Sequence, residues 1–230
     1  MKRPILVSGI LLITLLGATA GYFTGDRTEV PVPTATGQAA PLGEVTPPEP
    51  SVPVKTPVPS DVAALETGLS YKRRSFTVTR EDGQPVQVSI ETPDDWRLTR
   101  DKKAPAEVKF LDRLTERGVR VEAVEPKQTP AAARAALVVA LKQSQAPEND
   151  LRILTESDEQ VEGDDGRPRT VSTLIYTFIP KETLRYVIVR WVATGDDLTT
   201  VEMSITGLPQ DADGLGEVLL AATRTVRETS

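Results

Sequence analysis

"LRYVIVRWVA", residues 184–193, decides the fold. At the two-residue period of a strand it sets Val187, Val189 and Trp191 on one face, and Tyr186, Ile188 and Arg190 on the other. Large apolar groups on both faces predict a strand in the middle of a sheet that is covered on both sides. Strands of the same kind flank it, Thr170–Phe178 before and Leu198–Thr206 after. The connections are Ile179-Pro180-Lys181-Glu182 and Gly195-Asp196-Asp197.

Upstream, "RRSFTVTREDGQPVQVSIET" (residues 73–92) alternates Phe76 and Val78, then Val86, Val88 and Ile90, around Glu81-Asp82-Gly83-Gln84, which predicts a hairpin. "AEVKFLD" and "GVRVEAVE" read as two further strands, and "DLRILTE" as another, followed by a charged loop "SDEQVEGDDGRP" (residues 157–168). "TPAAARAALVVALKQ" reads as a helix, with Thr129 as N-cap, Pro130 in the first turn and an apolar face of alanines with Leu137, Val138 and Leu141. A second helix is expected from about Asp211 to Arg227, since Leu215, Val218, Leu219, Ala222 and Val226 recur at helical spacing. The order β-β-β-β-α-β-β-β-β-α gives the expected class: α+β, a mainly antiparallel sheet with two packed helices. About 165 residues suffice to bury a core without staples.

This domain is expected to occupy residues 61–230. Residues 28–60 contain nine prolines and almost no large apolar side chain. They read as a disordered linker that reaches at most about 100 Å if wholly polyproline II. Residues 1–27 open with Lys2 and Arg3, followed by an uncharged run from Pro4 to Gly25. That run spans about 33 Å as a helix, roughly one hydrocarbon core. Ala18-Thr19-Ala20 is also a cleavage box, so a signal peptide cut after Ala20 competes with a retained anchor. The proline spacer favours the anchor, because it holds a domain off a membrane. The expected location is therefore the cell membrane, single-pass, with a cytoplasmic N-terminus and an extracytoplasmic C-terminal domain (secreted if cleaved).

Composition narrows the chemistry. The chain has 230 residues, no cysteine and no histidine, and a net charge of −6. After residue 60, 23 basic residues stand against 29 acidic ones, so no footprint for nucleic acid exists. Disulfides, thiolate or imidazole metal sites and Ser–His–Asp triads are excluded by residue type. No nucleophile elbow, Walker loop, dinucleotide fingerprint or zincin motif occurs. The pairs Asp94-Asp95, Asp164-Asp165 and Asp196-Asp197 lack calcium-loop spacing and read as turn chemistry. The expectation is no catalysis, no cofactor and no metal.

"SIETPDDWRL" (residues 89–98), the mid-chain helix, the strand "TVSTLIYTFIP" (residues 170–180) and the terminal helix together resemble the Mog1/PsbP-like fold. The resemblance is to the LpqN-type exported proteins of high-GC bacteria in particular, and covers about residues 70–228. It implies noncatalytic work as an accessory or binding module in the cell envelope, and carries over no catalytic residues. The chain departs from those lipoproteins in lacking a lipobox cysteine. The leading expectation is a tethered domain that contacts an envelope protein partner. The alternative is small-molecule or lipid binding in a cleft between sheet and helix. Trp96, Arg167, Arg169, Tyr186 and Arg190 are the expected ligand or partner surface: arginines clamp carboxylate or phosphate, and the aromatics line an apolar pocket.

Overall fold

The structure, a computed structural model, describes residues 53–80, 82–124, 128–194 and 197–229. The expected anchor, most of the proline-rich linker and the Gly195-Asp196 part of one turn lie outside the described residues. Among those described, no helix is long and apolar enough to cross a membrane.

Strands β1 (Tyr71–Thr79) and β2 (Pro85–Pro93) form the expected hairpin, with Phe76 opposite Val88 and Val78 opposite Val86. Its turn places Gly83 at φ +83°, a conformation that costs glycine nothing. The chain continues through β3 (Arg97–Thr99), β4 (Glu107–Leu111) and β5 (Gly118–Ala123) to helix α1 (Pro130–Ser144). Thr129 caps α1 by accepting from the Ala132 N–H at 3.3 Å. Then come β6 (Arg152–Glu162), β7 (Pro168–Phe178), β8 (Arg185–Val192), β9 (Val201–Gly207), helix α2 (Ala212–Thr225) and β10 (Arg227–Thr229). The class is α+β, but with two antiparallel sheets rather than one: β1-β2-β10, and a seven-stranded sheet in the order β3-β4-β5-β9-β8-β7-β6.

Strand β8 lies between β9 and β7 in the large sheet, and both its faces are covered. On one face Val187, Val189 and Trp191 pack with Leu174, Tyr176 and Phe178 of β7 beneath Ala133, Leu137 and Leu141 of α1. On the other, Ile188 and Val192 join the larger core, closed by the small sheet and by Leu215, Val218 and Ala222 of α2. Phe76 and Phe110 meet edge-to-face across this core with centroids 5.6 Å apart, a geometry worth about 0.5–1.5 kcal/mol beyond area burial.

Two expectations need correcting. The segment expected as a charged loop, 157–168, is mostly strand: β6 runs through Glu162 in register with β7, and only the turn 163–167 remains. Strand β6 is the edge of the sheet, mostly exposed, and an edge strand carries charged side chains facing water. The terminal helix stops at Thr225 rather than Arg227, because Arg227 and Glu228 pair with Ser89 and Val88 of β2 as β10.

An extended strap, residues 53–70, crosses the domain before β1. The Lys55 N–H donates to the Glu148 carbonyl at 2.9 Å, and its ammonium reaches Asn149 Oδ1 at 2.6 Å and the Pro180 carbonyl at 3.2 Å. Further on, the Leu65 N–H donates to Asp211 Oδ1 at 2.9 Å, and Leu65 lies over Gly214, where a Cβ would come within 2.7 Å of its carbonyl. Asp211, fully buried, also accepts from the Leu208 N–H at 2.8 Å and from the Arg117 guanidinium at 2.8 Å. Arg117 in turn donates to the Ala63 carbonyl. One carboxylate therefore joins the strap, the start of β5 and the entry to α2.

Asp211→Ala leaves the buried Arg117 without its closest anion and should cost about 3–5 kcal/mol. Urea denaturation of the full chain checks this. The pair Arg117→Ala/Asp211→Ala is expected to cost less than the sum of its single changes, as bonded partners do.

Candidate functional site

Helix α1 packs mainly on β7 and β8, with Arg134 reaching Glu156 and Asp158 of β6, so the β9 and β5 side of this face of the sheet is left largely uncovered. The uncovered half is the floor of a cleft of about 490 Å³. The cross-strand register sets the floor's chemistry. One row reads Arg120 (β5), Ser204 (β9), Val189 (β8); the next reads Thr206 (β9), Val187 (β8), Tyr176 (β7). Polarity falls from one side to the other, and Leu141 and Phe178 complete the apolar wall. Lys181, Thr183 and Arg185 stand at the rim. Arg185 is held by the Glu116 carboxylate at 2.6 Å. Pro180, whose carbonyl receives the Lys55 ammonium, also lines the cleft, so the strap is anchored beside it.

Arg120 belongs to the cleft and to a buried charge cluster. Its side chain is 5% exposed and donates to Glu107 at 3.3 Å, to Glu122 and to Glu202. Glu202 also accepts the Trp191 indole N–H at 2.8 Å, and Lys109 binds Glu107 at 2.9 Å. Burial opposes the charge on Arg120, but the three carboxylates outweigh it and hold the guanidinium above its ordinary range. Three carboxylates around one guanidinium exceed its charge, although each accepts a hydrogen bond from it. Burial, with Glu202 and Glu107 adding to it against the pull of Arg120, pushes Glu122 up to about 7. Burial also raises Tyr176, keeping its hydroxyl protonated.

None of the five residues expected as a surface lines this cleft. Trp96 is 3% exposed and sits in the large core. Tyr186 and Arg190 occupy the opposite face of β8, as the alternation requires. Tyr186 is partly buried against that core. Arg190 is buried, donating to Thr173 Oγ1 at 2.9 Å, Thr223 Oγ1 at 3.2 Å and Glu159 at 2.6 Å. Arg169 is buried too, its guanidinium donating to the carbonyls of Thr223 and Val226 at the C-terminal end of α2, where a cation meets the helix dipole. Arg167 alone is exposed, in the β6–β7 turn. In that turn Asp164 binds Arg73 at 2.5 Å and Arg227 at 2.9 Å, and the Arg73 hydrogen bond leads the effects that hold its carboxyl down at about 2.

The residues that do line the cleft were only partly signalled in the sequence. "GVRVEAVE" alternates Arg120 and Glu122 with valines, which marks a polar strand face. That this face meets Ser204 and Thr206, more than 80 positions away, depends on the β5–β9 pairing.

Glu122 gives a signed pH dependence. Between its ordinary value of 4.5 and about 7, the folded carboxyl keeps a proton that the unfolded chain has lost. Stability is therefore greatest at the acid end of this window and falls as pH rises towards 7. Asp164 and Asp211, both lowered, give their full stabilisation above about pH 4 and lose it only on further acidification, so they add no slope in this window. Thermal melts from pH 4.5 to 7.5 should show this slope in the native chain and a flatter profile in Glu122→Gln. Compared with known proteins, the chain matches no family model and is similar to no curated protein.

Proposed function

We propose that this protein is a membrane-tethered extracytoplasmic binding domain that holds a small amphipathic molecule in the cleft beside α1, without catalysing a reaction on it. The observation that carries the reading is the cleft itself: about 490 Å³, within the usual range for ligand sites, with an apolar wall facing a hydroxyl- and guanidinium-bearing one. Two features support the tether. The N-terminal sequence has the length and charge pattern of a single-pass anchor. The strap fixes the point where the spacer reaches the domain beside the cleft, since Lys55 is bonded to the cleft-lining Pro180. A molecule drawn from the envelope would then find the cleft at the tethered end. The Mog1/PsbP-like, LpqN-type resemblance belongs to the same proposal, with two helices and antiparallel sheets as its support.

Contact with an envelope protein, the leading expectation from the sequence, has less behind it. Among the described residues, the exposed large apolar side chains are Val54 and Val58 on the strap, and Leu98, Leu114, Val139, Leu154 and Leu220, each on a different element or turn.

Ser204 stands in the middle of the cleft floor, between Arg120 and Val189. Ser204→Phe should fill the cleft while leaving both cores intact. Native mass spectrometry of the full chain released from its membrane is expected to show a bound small-molecule mass in the native protein and its loss in the variant. A clean apo mass for the native chain, with no thermal shift against envelope lipids, would overturn the reading.

A further inference from the structure

Resting on the cleft as the binding site, we propose that its ligand carries an anionic head received by Arg120, and that its entry is linked to the uptake of one proton by the carboxylates of Glu107, Glu122 and Glu202.

Among the described residues, Arg120 is the one side chain shared by the cleft and the charge cluster. Its terminal nitrogens are taken by the three glutamates, but its Nε–H is buried without an acceptor among the described residues. An acidic oxygen entering between the polar and apolar walls would supply that acceptor, and Lys181 at the rim favours the same sign of charge, Arg185 there being offset by Glu116. The hydrophobic wall of Val187, Val189, Leu141 and Phe178 takes an apolar body.

Charge balance then requires the proton. Glu122 is faced by Arg120 on its own strand, by Glu107 and Lys109 of β4, and by Glu202 of β9, with Tyr176 of β7 close enough to feel Arg120 and Glu202. With all three carboxylates ionised, the cluster holds three negative charges against the two positive ones of Arg120 and Lys109. A further anion in a buried site raises the cost of that excess, and a proton from solvent onto a carboxylate relieves it. The ligand remains an anion, the carboxylate becomes a carboxyl, and Arg120 exchanges part of its hold on the glutamates for a hold on the ligand. By linkage, the complex binds more protons than the free protein, so affinity falls as pH rises past the range in which the free cluster still holds its proton.

The test uses the full chain in lipid nanodiscs, with protein-free discs as the blank, and calorimetric titration with octanoate, octanol and octylammonium from pH 6 to 9. Octanoate should bind with near-constant affinity below about pH 7 and lose about threefold to tenfold per pH unit above it. Octylammonium should bind at least about tenfold more weakly, as expected for a lost charge pairing. Glu122→Gln, which keeps the side-chain shape, should retain octanoate binding and lose the pH slope. Octanoate binding that does not vary with pH, equal binding of octanol, tighter binding of octylammonium, or a slope unchanged in Glu122→Gln would each overturn the inference and leave the cleft as a binding site. Failure of all three compounds to bind at any pH would overturn the cleft reading, and this inference with it.

Discussion

Strand β8 is apolar on both faces, and a strand of that kind is stable only where two separate layers cover it. The rest of the architecture answers to this demand. One cover is the small sheet with α2, which meets the inner face across the full width from β4 to β8. The other is α1, a single helix of 15 residues, and a helix about 10 Å wide covers about two strands spaced 4.8 Å apart. Two strands, β7 and β8, are therefore the main ones roofed, while β9 and β5 are left largely uncovered. On these the face turns from valine to serine, threonine and arginine, and the cleft lies along the boundary. The binding site is a consequence of unequal covers on a two-faced sheet.

Without cysteine, the edges of these layers are joined by ionic contacts. Asp211 and Arg117 tie the strap to the entries of α2 and β5. Arg169 closes the C-terminal end of α2 against β7, and Asp164 gathers Arg73 of β1 and Arg227 of β10 at the β6–β7 turn. Each of these buried or half-buried groups loses hydration and recovers it only through several well-placed partners. Removing one partner is therefore more damaging than the modest net value of the pair would imply. The Arg120 cluster differs from the others because it borders the cleft, with three carboxylates on two cations. Arg117 also faces two carboxylates, Asp112 and Asp211, but it ties the strap rather than bordering the cleft.

Much of the fold was legible along the chain because period and punctuation are local properties. The hairpin around Gly83, the Thr129 cap and the two-faced β8 follow from residues within a few positions of one another. Strand β6 was less legible, since "SDEQVE" has the composition of a loop and becomes a strand only by pairing with β7 at a solvent-facing edge. The end of α2 was misjudged for a related reason. Helical periodicity continues through Val226, but β2 had an open edge to which Arg227 and Glu228 could pair. Arg169 and Arg190 looked like surface clamps because arginine is usually solvated, and what buries them is a helix end and a neighbouring strand contributed by distant segments.

The sequence by itself determined the class, α+β with antiparallel pairing, two helices and a sheet buried on both faces, together with the exclusion of thiol and imidazole chemistry. These depend on side-chain alternation and on residue type, both written into consecutive positions. Only the tertiary structure decided that the strands divide into two sheets, that α1 sits mainly over β7 and β8, and that Arg120 meets three glutamates from three strands. Those outcomes depend on pairing between distant segments, 82 positions apart for Arg120 and Glu202 and farther still for Ser89 and Arg227, where register rather than composition selects which side chains meet.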